Sequence, residues 1–242
     1  MSENSSIRYL RRLEHALFDT ACDHPRLSLS SARAVLEVAV NGAPIGYRDL
    51  ADRLGIDHQK VSSLAGTLSD GRGDLAGRDL LERVPGRDRR EKLLQVTRAG
   101  QALCDRLASV DQDGPASMGV VSTMMGRITA KAGEIRLASA FILLRIGLND
   151  QIIRDYGLSA VSIFQNRPVN NLPNHLNALR SQGLVTRVAL PDDKKTKPPA
   201  LTESGRELIS ELHALAPDPR STLDLEPDYA LEDLSAMEPE PY

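Results

Sequence analysis

Tryptophan is absent and aromatic residues make up only 3% of the 242-residue chain. Material for an aromatic cage around a cation, or for a platform on which unpaired bases stack, is therefore missing. Two cysteines, Cys22 and Cys104, are too few for a disulfide-stapled scaffold or a four-thiolate zinc site. The five histidines (His15, His24, His58, His175, His213) are scattered, none at metal-ligand spacing, so no cofactor is expected. Gly71-Arg72-Gly73 lacks the preceding strand and the Lys-Ser/Thr of a phosphate loop. The longest apolar stretch, Leu137–Leu148, is too short for a bilayer and contains Arg145. Ser2–Leu13 is polar and Arg-rich, without the apolar segment of a secretory signal. These absences lead to the expectation of a reduced, cytoplasmic protein that is neither an enzyme nor a membrane partner.

Charge is present but unevenly placed. The net formal charge is −3, yet from Pro217 onward eight acidic residues face one base, Arg220. Residues 1–216 alone carry 29 Lys and Arg against 25 Asp and Glu, a net of +4. Five of the 14 prolines also fall in that tail. Such composition cannot bury enough surface to offset the entropy of ordering, so 217–242 is expected to be disordered. It would serve as a solubilising appendage, as a segment that binds RNA polymerase or another protein, or as a mimic of nucleic-acid charge.

One internal repeat organises the rest. Asp88-Arg89-Arg90-Glu91-Lys92 recurs 105 residues later as Asp193-Lys194-Lys195-Thr196-Lys197. At the same offset, Thr97-Arg98-Ala99-Gly100-Gln101-Ala102-Leu103 recurs as Thr202-Glu203-Ser204-Gly205-Arg206-Glu207-Leu208. Two matches in one register imply two copies of one unit: 1–110, a linker at 111–118, and 119–216.

Local signals in the first copy are specific. Ile7, Leu10, Leu13, Leu17 and Ala21 keep a helical spacing. Ser30 is positioned to cap a second helix that ends at Asn41-Gly42. Tyr47–Leu54 reads as a short third helix stopped by Gly55, and Asp57 caps a fourth from His58 to about Leu68. Leu80–Pro85 and Lys92–Val96 read as strands around a charged turn, and Thr97 opens a last helix through Leu107. Two helices joined by a short Gly-containing turn, then a basic hairpin, describe a winged helix-turn-helix. The expected fold is mainly α: two such domains with small two-stranded β wings.

Leu50-Ala51-Asp52-Arg53-Leu54-Gly55-Ile56, Asp88-Arg89-Arg90-Glu91-Lys92 and Thr97-Arg98-Ala99-Gly100 together resemble the MarR family of bacterial regulators. The second copy resembles it more weakly, through Leu179–Val185, its own basic turn and Thr202-Glu203-Ser204-Gly205. Members of that family are dimers of one such unit, so the resemblance implies a tandem fusion, a pseudo-dimer in one polypeptide. It also implies that the arginine after the turn aspartate, Arg89, enters a DNA minor groove. Some members sense peroxide through a cysteine on the first helix, which here would be Cys22. From the residues themselves, a buried inert thiol is the expectation for Cys22.

Candidate DNA contacts follow. Val61, Leu64, Ala65 and Leu68 share the inward face of the fourth helix. Gln59, Ser62, Ser63 and Gly66 centre on the opposite face, flanked by Lys60 and Thr67. Glutamine can pair bidentately with adenine, and serine serves bases or phosphates. Arg87, Arg89, Arg90 and Lys92 form a cluster that phosphates would attract, with Asp88 orienting a neighbouring arginine. In the second copy Pro168 and Pro173 shorten the corresponding helix to Pro173–Ser181, exposing Asn174, Asn177 and Arg180. Lys194, Lys195 and Lys197 would grip phosphate there, although Pro198-Pro199 weakens the following strand.

Leu137–Leu148 is apolar on nearly every side, with its strongest stripe at Leu137, Phe141, Leu144, Leu148 and Ile152. It would pack on the first helix of the same chain or build a homodimer. The functional expectation is a sequence-specific double-stranded DNA-binding transcriptional regulator associated with the nucleoid. The rival is a winged-helix adaptor for replication or partition, whose tail and apolar helix hold protein partners.

Overall fold

The computed structural model describes residues 5–69, 79–88, 92–109, 115–150, 153, 169–188 and 197–217. Among them the chain is mainly helical, with nine helices and two small antiparallel sheets.

Helix α1 (Ser5–Asp23) buries Leu10, Leu13, Leu17 and Ala21, the stripe its spacing requires. Helix α2 (Leu29–Asn41) is capped by Ser28, whose Oγ accepts from the Ser31 N–H at 3.1 Å. Ser30, two residues further on, is therefore not the cap; it lies within the first helical turn, and its hydroxyl donates to Glu134 at 2.8 Å. Strand β1 (Ile45–Gly46) leads into α3 (Tyr47–Leu54), which Gly55 ends in the left-handed region at φ 67°. Helix α4 (His58–Ser69) starts on Asp57, whose carboxylate accepts from the Lys60 N–H at 2.8 Å. Strands β2 (Leu81–Pro85) and β3 (Lys92–Val96) pair in register Leu81↔Val96 through Pro85↔Lys92. β1 joins the other edge of β3, a third strand too short for periodicity to announce. Thr97 caps α5 (Arg98–Ala108).

Helix α6 spans Pro115–Ala132, so residues 115–118, read as linker from composition, form its first turn. Proline at a helix start lacks only an N–H that would have no intrahelical partner, which is why turn-like composition and helix coexist here. Residues 111–114 lie outside the described residues. Helix α7 (Leu137–Leu148) is buried at Leu137, Ser139, Ala140, Phe141–Leu144 and Ile146; Ile152 lies outside the described residues. Helix α8 (Leu172–Ser181) begins one residue before Pro173, with Asn171 as its cap at φ 59°. Strands β4 (Val185–Arg187) and β5 (Pro199–Leu201) make three residue pairs against five in the first hairpin. Pro198 contributes only its carbonyl, which accepts from the Val188 N–H at 3.1 Å. Helix α9 (Glu203–Leu215) closes the described chain.

The same local geometry recurs in both halves. Thr97 and Thr202 each accept from the N–H three residues on, at Gly100 and Gly205, both at 3.1 Å. The Leu80 and Leu184 carbonyls receive the Thr97 and Thr202 N–H groups. Between the halves, Leu29 N–H donates to Ile135 O and Leu137 N–H to Leu27 O, a reciprocal bridge centred on Ser28 and Arg136.

Around that bridge the halves exchange helices: α1 packs on α7 and α6 on α2. The apolar α7 thus finds its partner within the chain. Positions related by the bridge offset also pair reciprocally. Arg145 donates to Glu14 at 3.1 Å, while Ser122 donates to Glu37. Phe18 meets Phe141 with ring centroids 5.0 Å apart, while Gly126 leaves room for the Arg33 guanidinium. One continuous core spans both halves.

His175 is buried on α8, its Nδ1 2.9 Å from Ser139 Oγ. Burial first, then the charge of Arg136, holds its pKa below 6.5 despite an opposing backbone hydrogen bond at Asn170. Burial also lowers His213. The folded chain therefore binds these protons less tightly than the unfolded one, so stability is complete above about pH 6.5 and falls on acidification below it. Between about pH 7.5 and about pH 5.5, the variant carrying His175→Asn and His213→Asn should lose less stability in urea titrations than wild type. Equal losses would show that these two rings do not carry the dependence.

Candidate nucleic-acid interface

Helices α3 and α4 are held to the core by apolar anchors. Leu50, Ala51 and Leu54 are buried on α3, and Val61, Ala65 and Leu68 on α4, with Leu64 half-buried beside them. Arg33 of α2 fixes the end of α3 by donating to Leu54 O at 3.1 Å and Arg53 O at 3.0 Å. Guanidinium groups suit such helix ends because the last carbonyls have no partners within the helix.

The outward face of α4 is small and polar. Gln59, Lys60, Ser62 and Ser63 are exposed, and Gly66 and Thr67 are half-buried. Thr67 donates its hydroxyl to Ser63 O at 3.1 Å, so that donor is used within the helix backbone. Lys60 reaches back to Asp57 at 3.8 Å, an exposed pair that offsets part of its charge. The Lys60 backbone N–H is the main reason the Asp57 carboxyl is held below its ordinary range.

Residues that the motif reading did not single out complete this face. Tyr47, at the start of α3, accepts from Arg83 Nε at 3.1 Å and lies against His58, ring centroids 5.9 Å apart. Tyr47, Arg48, His58, Ser62, Arg83 and Lys92 line one groove of about 630 Å³, together with Gly46 and Asp49. Arg48, Arg83 and Lys92 come from three different elements, which is why no run of sequence displays them together. Alternation gave no hint either, since Arg83 shares a strand face with Leu81 by period and yet is exposed while Leu81 is buried.

Arg87 and Asp88 sit exposed at the end of this hairpin, beyond β2. Arg89 and Arg90 lie outside the described residues, as do Lys194 and Lys195. In the second half Asn174, Asn177, Arg180 and Lys197 are all exposed, and Arg180 lies 3.5 Å from Asn177 Oδ1.

The expected burial of Cys22 is wrong. It is exposed near the end of α1, where the helix face has turned from the core, whereas Cys104 is buried with its thiol pushed up to about 12. A smaller cavity, about 300 Å³, lies beside Cys22 and is lined also by Arg26, Arg136, Phe141 and His175. Among the described residues, no group of three or more His, Cys, Asp and Glu is arranged to hold a metal ion. No helix among them is long and apolar enough to cross a membrane. Compared with known proteins, the chain matches no family model and no curated protein.

Proposed function

We propose that this chain is a sequence-specific double-stranded DNA-binding transcriptional regulator, a covalent pseudo-dimer of two MarR-type winged helix-turn-helix units. One observation carries the reading. The exposed face of α4 is polar and free of acid, and it adjoins a groove lined, among the described residues, by three cations and one carboxylate. A merely solvated helix would carry mixed Glu and Lys.

In this reading α4 enters the major groove, where the Gln59 amide reads adenine and Ser62 and Ser63 contact bases or phosphates. Arg87, Arg89, Arg90 and Lys92 grip the backbone or narrow minor groove, with Asp88 orienting an arginine. The second unit, 119–216, presents the shorter α8 with Asn174, Asn177 and Arg180, and a lysine turn at Lys194, Lys195 and Lys197. Exchange of helices would hold both units as one body, as a two-fold dimer does. The acidic tail, 217–242, would take a protein partner such as RNA polymerase, in a nucleoid-associated cytoplasmic setting.

The test is selection of duplexes from a random pool, then binding of two variants to the winner. Unequal units should enrich an asymmetric site, since site symmetry mirrors protein symmetry. Gln59→Ala should cost roughly 1–3 kcal/mol on that site and barely change binding to random DNA. Arg89→Ala should weaken binding to all sequences and make the salt slope shallower by about one unit. Wild-type affinity in both variants would remove α4 and its hairpin as the reading head.

A further inference from the structure

Arg33 of α2 reaches the turn between α3 and α4 from the core side. Nη1 donates to Leu54 O at 3.1 Å and Nη2 to Arg53 O at 3.0 Å. The backbone N–H groups of Gly55 and Ile56 go to Asp52 O and Ala51 O, and the guanidinium takes the next two carbonyls. Asp57, which starts α4, lies three residues beyond Leu54. The two bonds therefore fix the turn from which α4 takes its direction.

Space filling does not account for this residue. Arg33 Nε is enclosed and makes no hydrogen bond. An enclosed donor without an acceptor costs free energy, and a methionine of similar reach would avoid that cost. What the guanidinium adds is direction, a planar fork on two successive carbonyls.

The second unit shapes the same contact. A Cβ built on Gly126 of α6 would sit 3.0 Å from Arg33 Cζ and 3.2 Å from its Nε. One turn earlier on α6, Ser122 donates to Glu37, whose other carboxylate oxygen lies 3.9 Å from the Arg53 guanidinium. Arg53 also donates to Asn41 Oδ1, at the end of α2, at 2.6 Å. At the position that the bridge between the halves relates to Arg33 stands Phe141, whose ring has no N–H to offer a carbonyl. The contact is thus not repeated by its counterpart.

We propose that Arg33 is a positioning residue for DNA reading. It sets α4 of the first unit at one angle to the shared core, and α6 of the second unit sets Arg33. Reading by one unit therefore depends on a helix of the other, which independent readers in tandem would not show. The inference rests on the DNA reading above, but the joint itself can be measured without DNA.

Hydrogen exchange on the full chain tests the joint. Arg33→Met should speed exchange about tenfold across residues 47–69 and leave 172–181 as in wild type, because loss of the charge-assisted bonds frees one turn and not the core. Binding to the duplex recovered by selection tests the consequence. The same variant should bind it about tenfold more weakly, yet keep wild-type affinity for random duplex and the wild-type salt slope, because its guanidinium is used on the turn and not on phosphate. Loss of fold would weaken both duplexes alike. Arg33→Lys keeps a donor and should recover part of the loss. Gly126→Ala, a change in the second unit that leaves Arg33 in place, should weaken the selected duplex about threefold by crowding the guanidinium. Combined with Arg33→Met it should add nothing, because both act through one group.

The proposal is overturned if Arg33→Met exchanges like wild type over 47–69, if it weakens both duplexes equally, or if the losses from Gly126→Ala and Arg33→Met add. If selection enriches no duplex, the DNA reading itself falls. Wild-type exchange alongside an enriched duplex fails the joint alone, so the two failures are told apart.

Discussion

Arg145→Ala is expected to destabilise the protein by about 3–5 kcal/mol, the range seen when one partner of a buried ion pair is removed. Glu14 is 3% exposed at its side chain, and Arg145 Nη1 lies 3.1 Å and 3.4 Å from its two carboxylate oxygens. Truncation would leave that carboxylate among the apolar side chains of α1 and α7. The pair is not itself a large source of stability, because two desolvated charges repay little more than their removal from water. A double replacement, Glu14→Leu with Arg145→Met, should therefore lie within about 1 kcal/mol of wild type. Urea titration of the three proteins checks this. Arg145→Ala with wild-type stability would show that Glu14 keeps solvent or another donor. Since α1 and α7 belong to opposite halves, the single variant should also loosen the exchange that holds the halves together.

Gly100→Ala should cost about 3 kcal/mol or more, at the upper end of overpacking effects, and lower the melting temperature by roughly 6–12 °C. A Cβ built on Gly100 would lie 2.0 Å from Leu80 O, an overlap with backbone that no rotamer relieves. That carbonyl also accepts the Thr97 N–H at 3.2 Å, so moving it disturbs the junction of β2 with α5. Gly205→Ala should behave alike, because its Cβ would meet Leu184 O at 2.2 Å. Gly119, within α6, is the control: nothing lies within 4 Å of its Cβ position. Gly119→Ala should stabilise by about 0.4–1 kcal/mol. If Gly100→Ala melted like Gly119→Ala, the close approach of helix to strand would be refuted.

The recurrence of glycine at both positions explains why the repeat was readable. Thr97-x-x-Gly100 and Thr202-x-x-Gly205 carry a cap and a close approach, two local demands that few residue types meet. By contrast, Arg83 and Arg48 stand 35 residues apart and looked like ordinary surface charge. Thr67 lies half-buried at the edge of the polar face, and its hydroxyl bonds the carbonyl one turn back, a local bond that period alone does not state. Cys22 followed an apolar stripe whose last buried member is Ala21, and the next residue already faces solvent.

By itself the sequence determined what short-range chemistry dictates. Thr and Asp caps, left-handed glycines and apolar spacing place α3, α4, α5 and the β2–β3 hairpin within a residue of where they lie. It also determined that α7 must be buried on several faces, because charge is missing from all but Arg145. Only the tertiary structure decided what α7 is buried against. Apolar burial is non-directional, so a leucine stripe states that a partner exists and not which one. The choice of α1, and of α2 for α6, is made by the reciprocal bridge at Ser28 and Arg136 and by the ion pair at Glu14 and Arg145. The groove was likewise a tertiary decision: Arg48, Arg83 and Lys92 converge because the β1–β3–β2 sheet brings its strands against the start of α3.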